Sequence, residues 1–122
     1  MLLVEDNPDL ASMLQEFLRT MGHDAEVACD GRSGIEAATR NPPDVALVDI
    51  GLPGTLDGYA VAFELRALPA LANTRLIAMT GYSQEEDEQR SYDAGFDDHL
   101  VKPVEAAELA RVLGRASMLP PL

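Results

Sequence analysis

The stretch Asn41-Pro42-Pro43-Asp44-Val45-Ala46-Leu47-Val48-Asp49 sets the frame for reading the rest of the chain. The two prolines stop any helix that arrives from the left. The four apolar residues that follow end abruptly on a carboxylate. A run this short and apolar at every position, not at every second one, suits a central strand covered on both faces. Moving downstream, Gly51, Pro53, Gly54 and Gly58 mark a long loop, and Tyr59 to Leu68 reads as a helix ended by Pro69. Leu76-Ile77-Ala78-Met79 repeats the central pattern and stops at Thr80. Ser83-Gln84-Glu85-Glu86 matches a capping box, so a helix is expected from there to about Gly95. His99-Leu100-Val101 reads as a last strand stopped by Lys102-Pro103, and Glu105 to Ala116 as a last helix with Leu109, Val112, Leu113 and Ala116 on one face.

Upstream of the same stretch, Asp30-Gly31 opens a helical segment, Ser33 to Thr39. Before it, Asp24 to Cys29 carries apolar residues in alternation at Ala25, Val27 and Cys29, the pattern of a half-buried strand. Leu10, Met13, Leu14, Phe17, Leu18 and Met21 recur at helical spacing from Pro8, with Gly22 as a stop. Leu2-Leu3-Val4 is a short buried strand that ends on Glu5-Asp6-Asn7-Pro8. Five strands alternating with five helices imply a parallel sheet with helices on both faces. Residues 1–117 are expected to form one domain, and the Pro-rich residues 118–122 a tail or linker remnant.

With 122 residues, 47% hydrophobic and 25% charged, the chain is large enough for a core and too apolar for disorder. Nine basic against 21 acidic residues give a net charge of -12, the wrong sign for gripping a phosphate backbone or an anionic membrane. Eight of the nine basic residues are arginine, and Lys102 is the only lysine. A single cysteine, Cys29, excludes an internal disulfide, and no Cys/His cluster has zinc spacing. No apolar run approaches the ~20 residues of a membrane helix, and Glu5-Asp6 stands where a signal peptide would continue. A cytoplasmic location is expected.

In open parallel sheets ligands bind at the carboxyl ends of the strands, and there this sequence places Glu5-Asp6, Asp49, Thr80 and Lys102. Taken singly, each has a plain explanation. Asp6 could cap the next helix, Asp49 could serve a turn, Thr80 could satisfy a backbone group, and Lys102 could be solvated surface. Those explanations do not account for all five sharing one edge. Three carboxylates together need a cation, and oxygen-only ligands point to Mg²⁺. A carboxylate beside that ion, faced by an ammonium and a hydroxyl, is arranged to attack a phosphoryl group. In this arrangement Asp49 is the nucleophile, Lys102 neutralises charge on the phosphoryl oxygens and Thr80 senses the covalent state.

Through Leu3-Val4-Glu5-Asp6-Asn7, Val48-Asp49-Ile50-Gly51-Leu52-Pro53 with Asp57-Gly58, Met79-Thr80-Gly81 and Val101-Lys102-Pro103, the chain resembles the receiver domain of the two-component response-regulator family. The resemblance implies a doubly wound (βα)5, flavodoxin-like three-layer sandwich with a five-stranded sheet of order 2-1-3-4-5. It implies that Asp49 is the phosphoacceptor, and that Asp6, Asp49 and the Gly51 carbonyl bind Mg²⁺ directly while Glu5 acts through water. It implies that Lys102 contacts the phosphoryl group and that Thr80 is the switch hydroxyl. The implied partners are a histidine kinase or histidine phosphotransfer protein upstream, and a protein target or fused kinase or effector domain downstream. No direct nucleic-acid contact and no membrane insertion are expected. The fourth helix, fifth strand and fifth helix are the surface the family presents to targets, with the acidic residues Glu85, Glu86, Asp87 and Glu88 on it.

Three features depart from the family pattern. The loop between Asp49 and Asp57-Gly58 is one residue longer than usual, His99 stands where a tyrosine or phenylalanine is common, and the first strand has almost nothing before Leu2. A haloacid-dehalogenase-type phosphatase also uses an aspartate nucleophile and Mg²⁺, but it wants a second acid two residues later, where this chain has Gly51. A degenerate receiver that works without phosphorylation is disfavoured by the complete set Glu5, Asp6, Asp49, Thr80 and Lys102.

Overall fold

The structure, a computed structural model, describes residues 1–54, 56–81 and 85–117. Five parallel strands, β1 (Leu2–Val4), β2 (Glu26–Ala28), β3 (Val45–Asp49), β4 (Arg75–Thr80) and β5 (Asp98–Val101), form one sheet in the order β2-β1-β3-β4-β5. Between and after them run α1 (Pro8–Thr20), α2 (Gly31–Arg40), α3 (Gly58–Arg66), α4 (Glu85–Ala94) and α5 (Ala106–Ser117), with a 3-10 turn at Pro69–Leu71. This is the expected doubly wound sandwich and the expected strand order.

Every residue of β3 is buried, as its uninterrupted apolar run requires. Successive residues of the inner strands point to opposite faces, so the run feeds two cores. Val4, Ala46, Val48, Leu76 and Ala78 pack with Val61, Ala62 and Leu65 of α3 and the alanines of α2. Leu3, Leu47, Ile77, Met79 and Leu100 pack with Leu14 and Leu18 of α1 and Leu109, Val112 and Leu113 of α5.

The edge strand departs from its sequence pattern. Alternation predicts Ala25, Val27 and Cys29 on the buried face, yet Val27 is 38% exposed and Cys29 is exposed, while Ala28 is the buried residue. On the Leu3 side α1 packs on β1 and α5 on β5, so this phase of β2 has little cover.

α3 stops at Arg66, short of the predicted Leu68. The residue before a proline is pushed out of the helical region, and Leu68 accordingly takes φ -91°, ψ 119° ahead of Pro69. The other boundaries agree with the sequence reading to within a few residues. Ser83 of the capping box and the tail 118–122 lie outside the described residues, as does Thr55 of the long loop. So do the side chains of Glu85, Glu86, Asp87 and Glu88.

The registers Val4↔Val48, Asp49↔Met79 and Thr80↔Val101 bring the ends of four strands level at one rim. The ladder runs one step further there: the Glu5 amide donates to the Ala28 carbonyl (3.0 Å), Ile50 to Met79 (2.9 Å) and Lys102 to Thr80 (2.7 Å). The side chains at this rim are therefore held by sheet hydrogen bonds rather than by loose loops.

Candidate functional site

One carboxylate oxygen from each of Glu5, Asp6 and Asp49 lies within 4.8 Å of the other two. Asp6 is exposed, whereas Glu5 is only 1% accessible. Lys102 Nζ sits between the two buried acids, 3.0 Å from Glu5 Oε1 and 3.1 Å from Asp49 Oδ2. Each acid has its other oxygen fixed by the backbone two residues on. The Asn7 amide donates to Glu5 Oε2 (3.1 Å), and the Gly51 amide donates to Asp49 Oδ1 (2.9 Å). Both carboxylates are thus held at one oxygen and aimed at the ammonium with the other.

Burial pushes the Glu5 carboxyl up from the ordinary glutamate range, and the Asp49 charge adds to this against the opposing Asn7 amide and Lys102. For Lys102 burial acts downward, but the hydrogen bonds and charges of Glu5 and Asp49 together outweigh it and hold the ammonium above its ordinary value. The ammonium is charged at neutral pH, and the acids beside it still outnumber it. Three carboxylates against one lysine leave a formal charge of -2. All-oxygen donors without histidine or cysteine, and this residual charge, fit a hard divalent cation.

The plain reading of Asp6 as a helix cap does not hold, because Asn7 is the cap of α1: its Oδ1 accepts from the Asp9 amide (3.0 Å) and the Leu10 amide (3.2 Å). Asp6 is thereby left at the rim with the other acids. Asp49 does serve a turn, through Gly51, and also faces Lys102, so the plain and functional readings coincide there. Thr80 is buried at the end of β4, one register step beyond Met79, the partner of Asp49. His99 is half-buried in β5 with its ring edge-on to Tyr92 of α4, centroids 6.4 Å apart.

Asn7, Asp57 and Gly58 also shape the rim: Asn7 caps α1, and Gly58, a loop residue by its sequence, is the first residue of α3. Asp57 caps α3 by accepting the Ala60 amide (2.9 Å). The Gly58 amide donates to the Ile50 carbonyl (3.1 Å), and a β-carbon at Gly58 would lie 2.5 Å from the Asp49 carbonyl oxygen. Only glycine lets α3 start this close to the acceptor loop. The signal was present in the sequence as Asp57-Gly58 before a helix, but the close approach is a tertiary fact.

The fold and the rim together define a doubly wound α/β protein with an acid cluster and one lysine at the carboxyl ends of its strands. A family model described as the response regulator receiver domain matches residues 1–113, and the chain belongs to that family, whose members are signalling domains of two-component systems. It is 38% identical over 112 residues to the transcriptional regulatory protein PrrA of Mycobacterium tuberculosis, covering 91% of this chain and 47% of that protein. The chain thus spans about half the length of such regulators. Among solved structures it is similar to the receiver domain of the sensor histidine kinase PA1611 of Pseudomonas aeruginosa, with TM-score 0.85, 37% identity and 93% of each chain covered. That structure has a magnesium ion coordinated in its active-site cleft. The chemotaxis protein CheY4 of Vibrio cholerae superposes with TM-score 0.89 at 26% identity over 94% of this chain and 95% of that one.

Proposed function

We propose that Asp49 accepts a phosphoryl group from the phosphohistidine of a histidine kinase or phosphotransfer protein, and that residues 1–117 act as the phosphorylation-controlled unit. The observation that carries this reading is the ammonium of Lys102 held 3.1 Å from the Asp49 carboxylate inside a cluster that still bears excess negative charge. Asp6, Asp49 and the Gly51 carbonyl would hold Mg²⁺, with Glu5 acting through water. When bound, the cation neutralises charge on the phosphoryl oxygens.

An Asp49 carboxylate oxygen forms the new P–O bond while the P–N bond to the donor imidazole breaks, and the imidazole keeps the electron pair and takes a proton. The Gly51 amide orients the carboxylate for this attack, and Lys102 shifts its ion pair from the carboxylate to the phosphoryl oxygens. Thr80 donates its hydroxyl to one of those oxygens once they are present. The resulting shift of the loops after β3 and β4, and of α4, changes the surface offered to a downstream protein or fused domain.

The chain is an acceptor and not a turnover enzyme in this reading, and its net charge of -12 favours protein partners over nucleic acid. No helix among the described residues is long and apolar enough to cross a membrane, and we take the domain to work in the cytoplasm. Incubation with Mg²⁺ and acetyl phosphate, followed by intact mass, tests the proposal. A Mg²⁺-dependent gain of one phosphoryl group is expected, and a gain that survives Asp49→Asn would overturn it.

A further inference from the structure

α3 and α4 touch at two levels, and the two contacts differ in kind. Towards the site, the exposed Arg90 of α4 places its guanidinium carbon 4.2 Å from the centre of the Tyr59 ring on α3. Tyr59 is half-buried against the core and follows Gly58, whose backbone lies close against Asp49 and Ile50. An exposed cation over a ring is a weak contact that water readily replaces.

At the opposite rim Arg66, the last residue of α3, reaches the far end of α4. Its Nε donates to the Gly95 carbonyl (2.9 Å), its Nη1 to the carbonyls of Thr74 (2.7 Å) and Leu71 (3.3 Å), and its Nη2 pairs with the Asp97 carboxylate. Asp97 Oδ2 also accepts the Leu76 amide (2.9 Å), and the Asp97 amide donates to the Leu76 carbonyl (2.7 Å). The turn from α4 into β5 is therefore tied at once to α3 and to the start of β4. Gly95 has φ +114°, and a β-carbon there would lie 2.6 Å from Arg66 Cγ. Only glycine allows this turn and this approach together.

We propose that α4 is a hinged element: Arg66 pins its C-terminal end, and the Tyr59–Arg90 contact is a catch that releases nearer the site. A change at the site then swings α4 about Gly95 and does not slide it along α3. The swing rests on the reading of Asp49 as phosphoacceptor. The unequal anchoring does not, and it is measurable in the unmodified protein.

Amide hydrogen exchange and chemical shifts, read by NMR on the full chain with Mg²⁺ and with or without beryllofluoride, test both parts. Tyr59→Leu is expected to speed exchange at residues 89–93 about 2- to 5-fold and leave residues 95–98 unchanged. It should also lower the beryllofluoride concentration for half-response by a similar factor, since the resting position has lost its catch. Arg66→Lys, which keeps the charge and loses the fork, is expected to speed exchange at residues 95–98 about tenfold or more. It should also let the beryllofluoride-induced shifts, confined to residues before Gly95 in the unaltered chain, spread through residue 98. The hinge is overturned if Tyr59→Leu accelerates both segments equally, or if beryllofluoride moves residues 95–98 of the unaltered chain as much as residues 89–93. Failure of the phosphoacceptor reading looks different: beryllofluoride leaves the amides of Glu5, Asp49 and Thr80 unmoved, and the two exchange measurements alone then decide the hinge.

Discussion

The two rims of the sheet carry ionic clusters of similar make and opposite balance. At the carboxyl ends, Lys102 faces Glu5 and Asp49 with Asp6 close by, one cation among three acids. At the amino ends, Arg66 meets one carboxylate, Asp97, and spends its remaining donors on backbone carbonyls. The second cluster is neutral and satisfied, as a structural clamp should be. The first is overcharged, a condition that destabilises the fold and persists where a ligand is to be bound. Charge balance, more than the presence of ion pairs, separates the carboxyl-end rim from the amino-end one.

Substitutions that act oppositely at the two rims test this contrast. The largest effect is expected from Lys102→Met, which should slow Mg²⁺-dependent labelling by acetyl phosphate about 100-fold, or about 2.7 kcal/mol, by leaving the phosphoryl oxygens without their ammonium. Single-turnover labelling followed by intact mass measures it. Asp97→Asn comes next, with a loss of about 1 kcal/mol in urea unfolding because the half-buried Arg66 loses its counter-charge at the solvent-facing carboxylate. An unchanged midpoint would break the contrast from the structural side.

At the upper rim the sign reverses. Asp6→Asn is expected to raise stability by roughly 0.5 to 1 kcal/mol without Mg²⁺, through relief of like-charge repulsion, and to weaken the further stabilisation that Mg²⁺ confers. Thermal unfolding with and without the metal reads both halves. A related pH effect follows from Glu5, whose folded-state pKa is raised by burial. Below the ordinary glutamate value Glu5 is protonated in both folded and unfolded chains. As pH rises through that value the unfolded chain loses its proton first, so Glu5 draws stability down until its own raised pKa is passed. The metal-free unfolding free energy of Glu5→Gln should therefore fall less between pH 4 and neutrality than that of the unaltered chain. The raised pKa of Lys102 acts at the other end, where its contribution is complete below the ordinary lysine value and is lost as pH rises beyond it. The smallest effect belongs to an exposed pair on the edge strand: Arg40→Gln, which breaks a bond of 2.5 Å to Glu26, should shift stability by about 0.5 kcal/mol or less.

The central strand and the identity of the rim residues were legible because they rest on local rules. A run of apolar residues halted by a carboxylate reads the same in any context, and once the strands are parallel their ends share an edge. β2 misled because alternation records which residues are apolar and not which face a helix covers, and at the sheet edge the cover is incomplete. The end of α3 is set by Pro69 acting on Leu68, a constraint that helical periodicity does not record. Asn7 was hidden behind Asp6: both residues are able to cap a helix, and only the path of the chain into α1 shows which one does.

The alternating fold, the five residues at the carboxyl-end rim and the single lysine among them follow from local pattern alone, because periodicity and strand ends are properties of neighbours along the chain. The tertiary structure decided that Glu5 is buried while Asp6 is exposed, and that Lys102 lies between Glu5 and Asp49. It also placed Arg66, unremarkable in sequence, where it ties together segments 5 to 31 residues away. Burial and charge balance depend on distances between strands and helices that are remote in sequence, and packing alone sets those distances.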